Sequence, residues 1–181
     1  MTLIKGGIPK KEKTIFLVVL ALLVILIIAL ALILIALANK QNADKDAEEY
    51  ASLREGDYDD GYNVRLKLTD MYNKGEKEKA LNLFDVAKRQ SLTEKNYELY
   101  VFLIGDEFEL MGDDERCKTG LKLFEDINVN QWPTEDKYMF YTEARNANEE
   151  CGNDAKAKEY ESKIDAMIEK GELNEEDLGE G

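Results

Sequence analysis

The apolar positions of this chain follow two regimes. From Thr14 to Ala38 they are continuous, with no charge, no Gly, no Pro and a single hydroxyl. From Tyr62 to Lys170 they recur at three- and four-residue spacing between polar faces. About 20 apolar residues at 1.5 Å rise cross a hydrocarbon core of about 30 Å, and the first run exceeds that length. The pattern predicts a transmembrane helix over 14–38 followed by amphipathic helices. No run alternates with period two between turn signals, so no sheet is expected. The fold class read from the pattern is all-α.

Asn39 to Arg54 is polar and Ala-rich without Gly or Pro, and is expected to continue helically to a stop at Gly56. Asp57 to Gly61 is acidic, but its spacing does not match an EF-hand loop, and it reads as a turn and helix start. The next helix carries Val64, Leu66, Leu68, Met71 and Tyr72 on one face and stops at Lys74-Gly75. Glu76 to Gln90 follows, with Ala80, Leu83, Phe84 and Ala87 on its stripe. Ser91-Leu92-Thr93-Glu94 reads as a capping box opening a helix to Met111. Gly112-Asp113 breaks that helix, and Asp114 to Ile127 resumes it. Asn128 to Pro133 is a loop, with Trp132 as its anchor. Thr134 is expected to cap a helix to Glu150. Cys151-Gly152-Asn153 turns the chain into a last helix, Asp154 to Lys170, and Gly171 to Gly181 reads as a frayed acidic tail. The expected organisation is a basic stub (1–13), the span (14–38), a juxtamembrane helix or linker (39–56), a helical domain (57–170) and the tail (171–181).

Charge orients the span. Lys5, Lys10, Lys11 and Lys13 precede it against Glu12 alone, whereas acids outnumber lysines just after it. The positive-inside rule then makes the N-terminus cytoplasmic and everything beyond Ala38 extracytoplasmic. The alternative is a cleaved secretory signal, for which Ala36-Leu37-Ala38 offers a small-residue site; the run is longer than the usual h-region. The chain has 181 residues and a formal charge of −14. After the stub and span, 20 basic residues face 37 acidic ones, a charge of −17. So acidic a surface repels phosphate backbones, and no nucleic-acid partner is expected. The partners expected are the bilayer through 14–38 and a protein or peptide. There is no His, which removes the commonest general base and the commonest zinc ligand. No catalytic, metal or cofactor constellation emerges, and enzyme function is not expected; the enzyme alternative is one that uses a pair of the many carboxylates, none of which stands in a loop-borne cluster with a Gly-rich or nucleophile motif.

Gly75, Gly112 and Gly152 lie 37 and 40 residues apart, each between two helices of similar predicted length. Five residues after each stands a small residue (Ala80, Cys117, Ala157), and twelve after each an inward one (Ala87, Phe124, Ile164). Leu68 to Ala87 joins the turn Gly75 to Ala80, Phe84 and Ala87 at small–aromatic–small spacing. Gly105 precedes Gly112 by seven. This pattern resembles the tetratricopeptide repeat, a helix–turn–helix unit of about 34 residues. It departs from it in lacking the closing Pro of the first unit, in longer loops after the second, and in Arg145 where Gly105 stands in the second. A single-pass anchor with such a domain also resembles, in architecture only, ancillary translocon-associated membrane proteins of bacteria.

The resemblance implies a solenoid of helical hairpins whose first helices line a groove. By register the groove would carry Tyr62, Arg65, Thr69 and Tyr72, then Phe102, Asp106 and Glu109, then Thr142, Asn146 and Glu149. Aromatic rings among acids suit a peptide with basic and apolar side chains. The alternative is plain surface, three units being few for a groove. Only Arg65 and Asn146 approach the family's carboxylate clamp, in different units, so no such clamp is expected. The implied role is a membrane-anchored scaffold or adaptor; the alternative is a spacer that self-associates through its span. Cys117 starts one helix and Cys151 ends the next, which would pack antiparallel to it. The two could form a disulfide in an oxidising compartment, or remain buried thiols.

Overall fold

The computed structural model describes residues 10–173, and all regular structure among them is helical. In chain order the elements are α1 (Lys10–Arg54), α2 (Asp60–Asn73), α3 (Lys77–Glu94), α4 (Tyr97–Leu110), α5 (Asp113–Lys118), a 3-10 turn (Gly120–Phe124), α6 (Thr134–Glu150) and α7 (Asp154–Glu169). The chain divides between Lys45 and Asp46 into two compact units.

The first unit is the apolar stretch of α1. From Leu22 this is one helix long and apolar enough to cross a membrane. Its Leu, Ile and Val side chains, from Val19 to Leu37, are all exposed. They surround the helix instead of forming a stripe, so no one face is set aside for a protein core.

The second unit begins at Asp46. The last nine residues of α1, which the sequence pattern assigns to a linker, therefore belong to it. Tyr50 and Leu53 are buried with Val64, Leu68, Leu83, Phe84 and Leu103. Polar contacts fix this end of α1. The buried Asn63 Nδ2 donates to the carbonyls of Arg54 and Tyr58 at 3.1 and 2.9 Å. Lys67 Nζ donates to those of Ser52 and Glu55, each at 2.6 Å. A cation on otherwise unpaired C-terminal carbonyls is favourable electrostatically.

Around this, α2 packs on α3 and α4, α3 on α4, α4 on α6, and α6 on α7. Helix α4 is central because its sequence is apolar on two sides. Leu99 and Leu103 enter the cluster just described. Tyr100, Val101, Ile104 and Phe108 enter a second one with Phe124, Trp132, Phe140 and Tyr160. Trp132 stacks on Tyr97, ring centroids 4.7 Å apart, which anchors the loop before α6.

Several local expectations are corrected. The capping box at Ser91 does not form: α3 runs through to Glu94, and Ser91 is buried with its Oγ donating to the Ala87 carbonyl at 2.8 Å. Nothing in Gln90-Ser91-Leu92 breaks a helix, and a buried Ser can satisfy itself on the preceding turn. The stop comes at Lys95, in the left-handed region, and Asn96 caps α4 by accepting from Leu99 N. Leu66 is exposed, outside the face formed by Val64 and Leu68. Thr134 is the first residue of α6, not its cap, which is Pro133. The helix expected over 114–127 is six residues of α5 followed by the 3-10 turn. Gly120 explains the break. A Cβ there would lie 3.0 Å from both the Phe108 ring and Met111 Sδ. The backbone thus sits against α4 closer than two helices carrying side chains pack.

Of the three turn glycines, Gly75 and Gly152 have φ of +92° and +69°, while Gly112, at −67°, opens α5. Ala80 and Ala157 are buried as expected, but Cys117 is exposed. The start of the expected tail is ordered: Glu172 N donates to the Met167 carbonyl at 3.0 Å and Leu173 is buried. Residues 174–181 of that tail, and 1–9 of the stub, lie outside the described residues.

Candidate functional site

Among its described residues the second unit leaves four large apolar side chains exposed: Tyr58 (63%), Tyr62 (47%), Leu66 (48%) and Leu92 (39%). Tyr62 and Leu66 are four residues apart, a spacing that aligns them along one edge of α2, and Tyr58 precedes the helix in the bend before it. Tyr58 and Tyr62 meet edge to face at 4.9 Å. Exposed apolar side chains are ordinary when scattered but informative when aligned.

Beside this edge, a cleft of about 240 Å³ opens between the N-terminal halves of α2 and α4, lined in part by Tyr62, Arg65, Glu98, Leu99 and Phe102. The Arg65 guanidinium lies over the Phe102 ring, 4.3 Å from its centroid. It donates in a fork to Asp106, Nε to Oδ2 at 2.6 Å and Nη2 to Oδ1 at 2.8 Å. That bond raises the guanidinium's pKa further. One cation is thereby fixed by a planar bidentate pair and an aromatic face together.

Glu143 of α6 approaches the same helix face. A Cβ on Gly105 would stand 3.7 Å from its Oε2, ordinary contact. Its carboxyl pKa is pushed up by burial first, then by Glu109 and Asp106, with Arg65 opposing. Asp106 is neutralised by Arg65 and Glu109 lies beside Arg116, so Glu143 is the carboxylate of this face left to attract a further cation.

The structure brings Tyr62, Arg65 and Phe102 into one cleft and joins Asp106 to it. The other groove residues expected from register go elsewhere. Tyr72 is buried, its ring under Lys77 Nζ at 4.9 Å, and Thr69 is half-buried. Glu109 lies 3.6 Å from Arg116. The Thr142 hydroxyl is buried without a hydrogen bond. Asn146 accepts from Arg145 at 3.0 and 3.3 Å, and Glu149 lies 3.9 Å from the same residue. Tyr58 and Glu143 are absent from the residues expected at the groove, and Leu66 is expected on the inward face instead. The i, i+4 spacing of Tyr62 and Leu66 marks an outward edge of α2, whereas Tyr58 lies before the helix and joins them only through its ring contact with Tyr62. Glu143 carried no signal, since only the α4–α6 packing brings it near.

Cys117 and Cys151 are bonded, with Cα atoms 5.2 Å apart, joining α5 to the end of α6. A larger cleft of about 480 Å³ lies between the loop after the 3-10 turn and α7. Its two lysines are already paired. Lys156 and Lys163 both bind Glu159, at 2.7 and 2.9 Å, which lowers that carboxyl to about 2. Among the described residues no group of three His, Cys, Asp or Glu side chains is placed to hold a metal ion. Compared with known protein families, curated proteins and solved structures, the chain has no significant match.

Proposed function

We propose that this protein is a membrane-anchored, extracytoplasmic adaptor that holds a partner protein through the α2–α4 cleft of a tetratricopeptide-like domain. The apolar stretch of α1 is the anchor, and the four lysines ahead of it keep the N-terminus on the cytoplasmic side. The repeat reading is supported by α2, α4 and α6 lying side by side, with α3 and α7 paired to the first and last of them. Its weakest unit is the second, where α5 has only six residues.

The observation that carries the binding reading is the apolar edge of Tyr58, Tyr62 and Leu66 beside Arg65, Phe102 and an acidic surround. Such a surface suits a segment with apolar anchors and a Lys or Arg side chain, the latter directed toward Glu143. It offers no paired cations for a free carboxylate.

The test is photo-crosslinking in intact membranes from a benzophenone amino acid at position 62, with position 161 on the exposed face of α7 as control. A recurrent heterologous adduct at 62, lost on Phe102→Ala and absent at 161, supports the adaptor. Adducts between copies of this chain alone support a self-associating spacer instead. Protease added to spheroplasts should digest the domain; full protection would refute the topology.

A further inference from the structure

A third cleft, of about 290 Å³, lies between α3 and the 3-10 turn. It includes Tyr100 and Ile104 of α4. At 100° per residue these face away from Leu99, Phe102 and Asp106, so this cleft and the first occupy opposite sides of α4.

The cleft exists because a helix is missing. In the α2/α3 and α6/α7 hairpins the second helix has 18 and 16 residues. In the α4/α5 hairpin it has six, none of them buried. After α5 the chain drops at Gly120 onto α4, as its close approach to Phe108 requires. The flank of α3 where a longer helix would lie is left to Leu123 and Ile127, both half-buried, and Leu92 stays exposed.

Its charge runs against the rest of the domain. Lys88 is committed to Glu107 and Asp85, at 2.6 and 2.9 Å. Arg89 reaches solvent and, among the described residues, pairs with Asp46 at the surface. Lys122 is exposed, and its ammonium group has no ion pair or hydrogen bond among the described residues. Two accessible cations thus rim an apolar slot on a surface with a large excess of acids.

We propose that this cleft docks one amphipathic helix of a partner protein, whose apolar stripe meets Leu92, Leu123 and Ile127 and whose acidic side chains meet Arg89 and Lys122. Helix-in-groove docking needs this combination of an unfilled helix position and a charged rim. A second copy of this chain is a poorer occupant, because two such acidic domains repel. The site does not depend on the α2–α4 cleft and selects a partner of opposite charge, so the domain could hold two different segments at once.

The test uses the full chain in nanodiscs of zwitterionic lipid. The probe is a fluorescein-labelled helical peptide of about four turns with one Leu stripe and Glu elsewhere; the comparison peptide has Lys in place of Glu. Anisotropy should show binding of the Glu peptide above empty nanodiscs. That binding should weaken about tenfold on Leu92→Ser or Lys122→Glu, about 1.4 kcal/mol. Both residues are exposed, so the variants should keep the helical signal and the Trp132 emission of the parent. The Lys peptide should be indifferent to both changes. Absence of Glu-peptide binding, or binding insensitive to both variants, overturns the proposal. So does binding that appears only after residues 174–181 are removed, which would make the chain's own tail the occupant. Self-association lost on Leu92→Ser would overturn it in favour of a second copy.

Discussion

Reduction of the Cys117–Cys151 bond is the sharpest test of how the domain is held together. The bond closes a loop of 34 residues in sequence. The chain-entropy relation then assigns it about 4 kcal/mol at 25 °C, through restriction of the unfolded chain. Folded-state contacts add little, because Cys117 is exposed and α5 buries none of its side chains. Arg116 would hold α5 in place without the bond. It pairs with Glu150, and its Nη2 donates to the carbonyls of Glu109 and Met111 at 3.0 and 3.3 Å. The reduced protein should therefore keep its helices and lose stability mainly by gaining unfolded-state freedom.

Trp132 is the only tryptophan and lies in the core cluster shared by α4 and α6, so its emission follows unfolding of the domain rather than of the apolar helix. With a urea slope of roughly 2 kcal/mol per molar, the midpoint should fall by about 2 M on adding reductant. Cys117→Ser/Cys151→Ser should reproduce the shift and abolish the response to reductant. Thiol alkylation before and after reduction verifies the state of the bond. Coincident curves for the oxidised and fully alkylated reduced protein would refute the reasoning. Collapse of the helical signal without urea would refute the claim that the native contacts suffice.

Four further outcomes are expected. Lys88→Met leaves the buried Glu107 carboxylate uncompensated and should cost about 3 kcal/mol, whereas Lys88→Met with Glu107→Leu should recover most of it; urea unfolding of the single and double variants measures the difference. Burial lowers the Lys88 ammonium, but Glu107 and Asp85 more than offset this, so it stays charged, while burial raises the Glu107 carboxyl against the pull of Lys88. A carboxyl raised on folding favours the native state at low pH and withdraws that support as pH rises through its folded pKa; Lys88→Met should therefore lose stability between acidic and neutral pH more steeply than the parent, in unfolding curves at a series of pH values. Gly120→Ala sets a Cβ 3.0 Å from the Phe108 ring and Met111 Sδ, and although Met111 can yield, the ring cannot, so a loss of roughly 1–2 kcal/mol is expected in thermal unfolding. A double-mutant cycle on Arg65→Ala and Asp106→Ala should give a coupling of about 1 kcal/mol, held down because both side chains keep contact with solvent; a coupling of zero would mean the fork is not populated in solution.

The order and type of the helices could be read in advance, because each rests on local information. A continuous apolar run can only be a helix of one kind, and amphipathic spacing with Gly75 and Gly152 marks chain reversal without any knowledge of neighbours. The errors fall where a distant partner outweighs the local signal. Ser91 resembles a cap until its burial beneath α1 is known; Asp114 to Ile127 is written in helical residues, yet Gly120 is drawn onto α4 and the helix ends. Leu66 has the spacing of a core residue, and only the places taken by Val64 and Leu68 leave it outside. The nine residues after Lys45 have linker composition but bury Tyr50 and Leu53, since a cluster elsewhere in the chain gives those side chains a dry surface. The same distinction runs through the candidate site. Tyr62, Arg65, Phe102 and Asp106 were found by register along single helices. Glu143, and the slot beside Leu92, required knowing how far apart α3, α4 and α6 lie, because those distances are set by every side chain packed between the helices and by none alone.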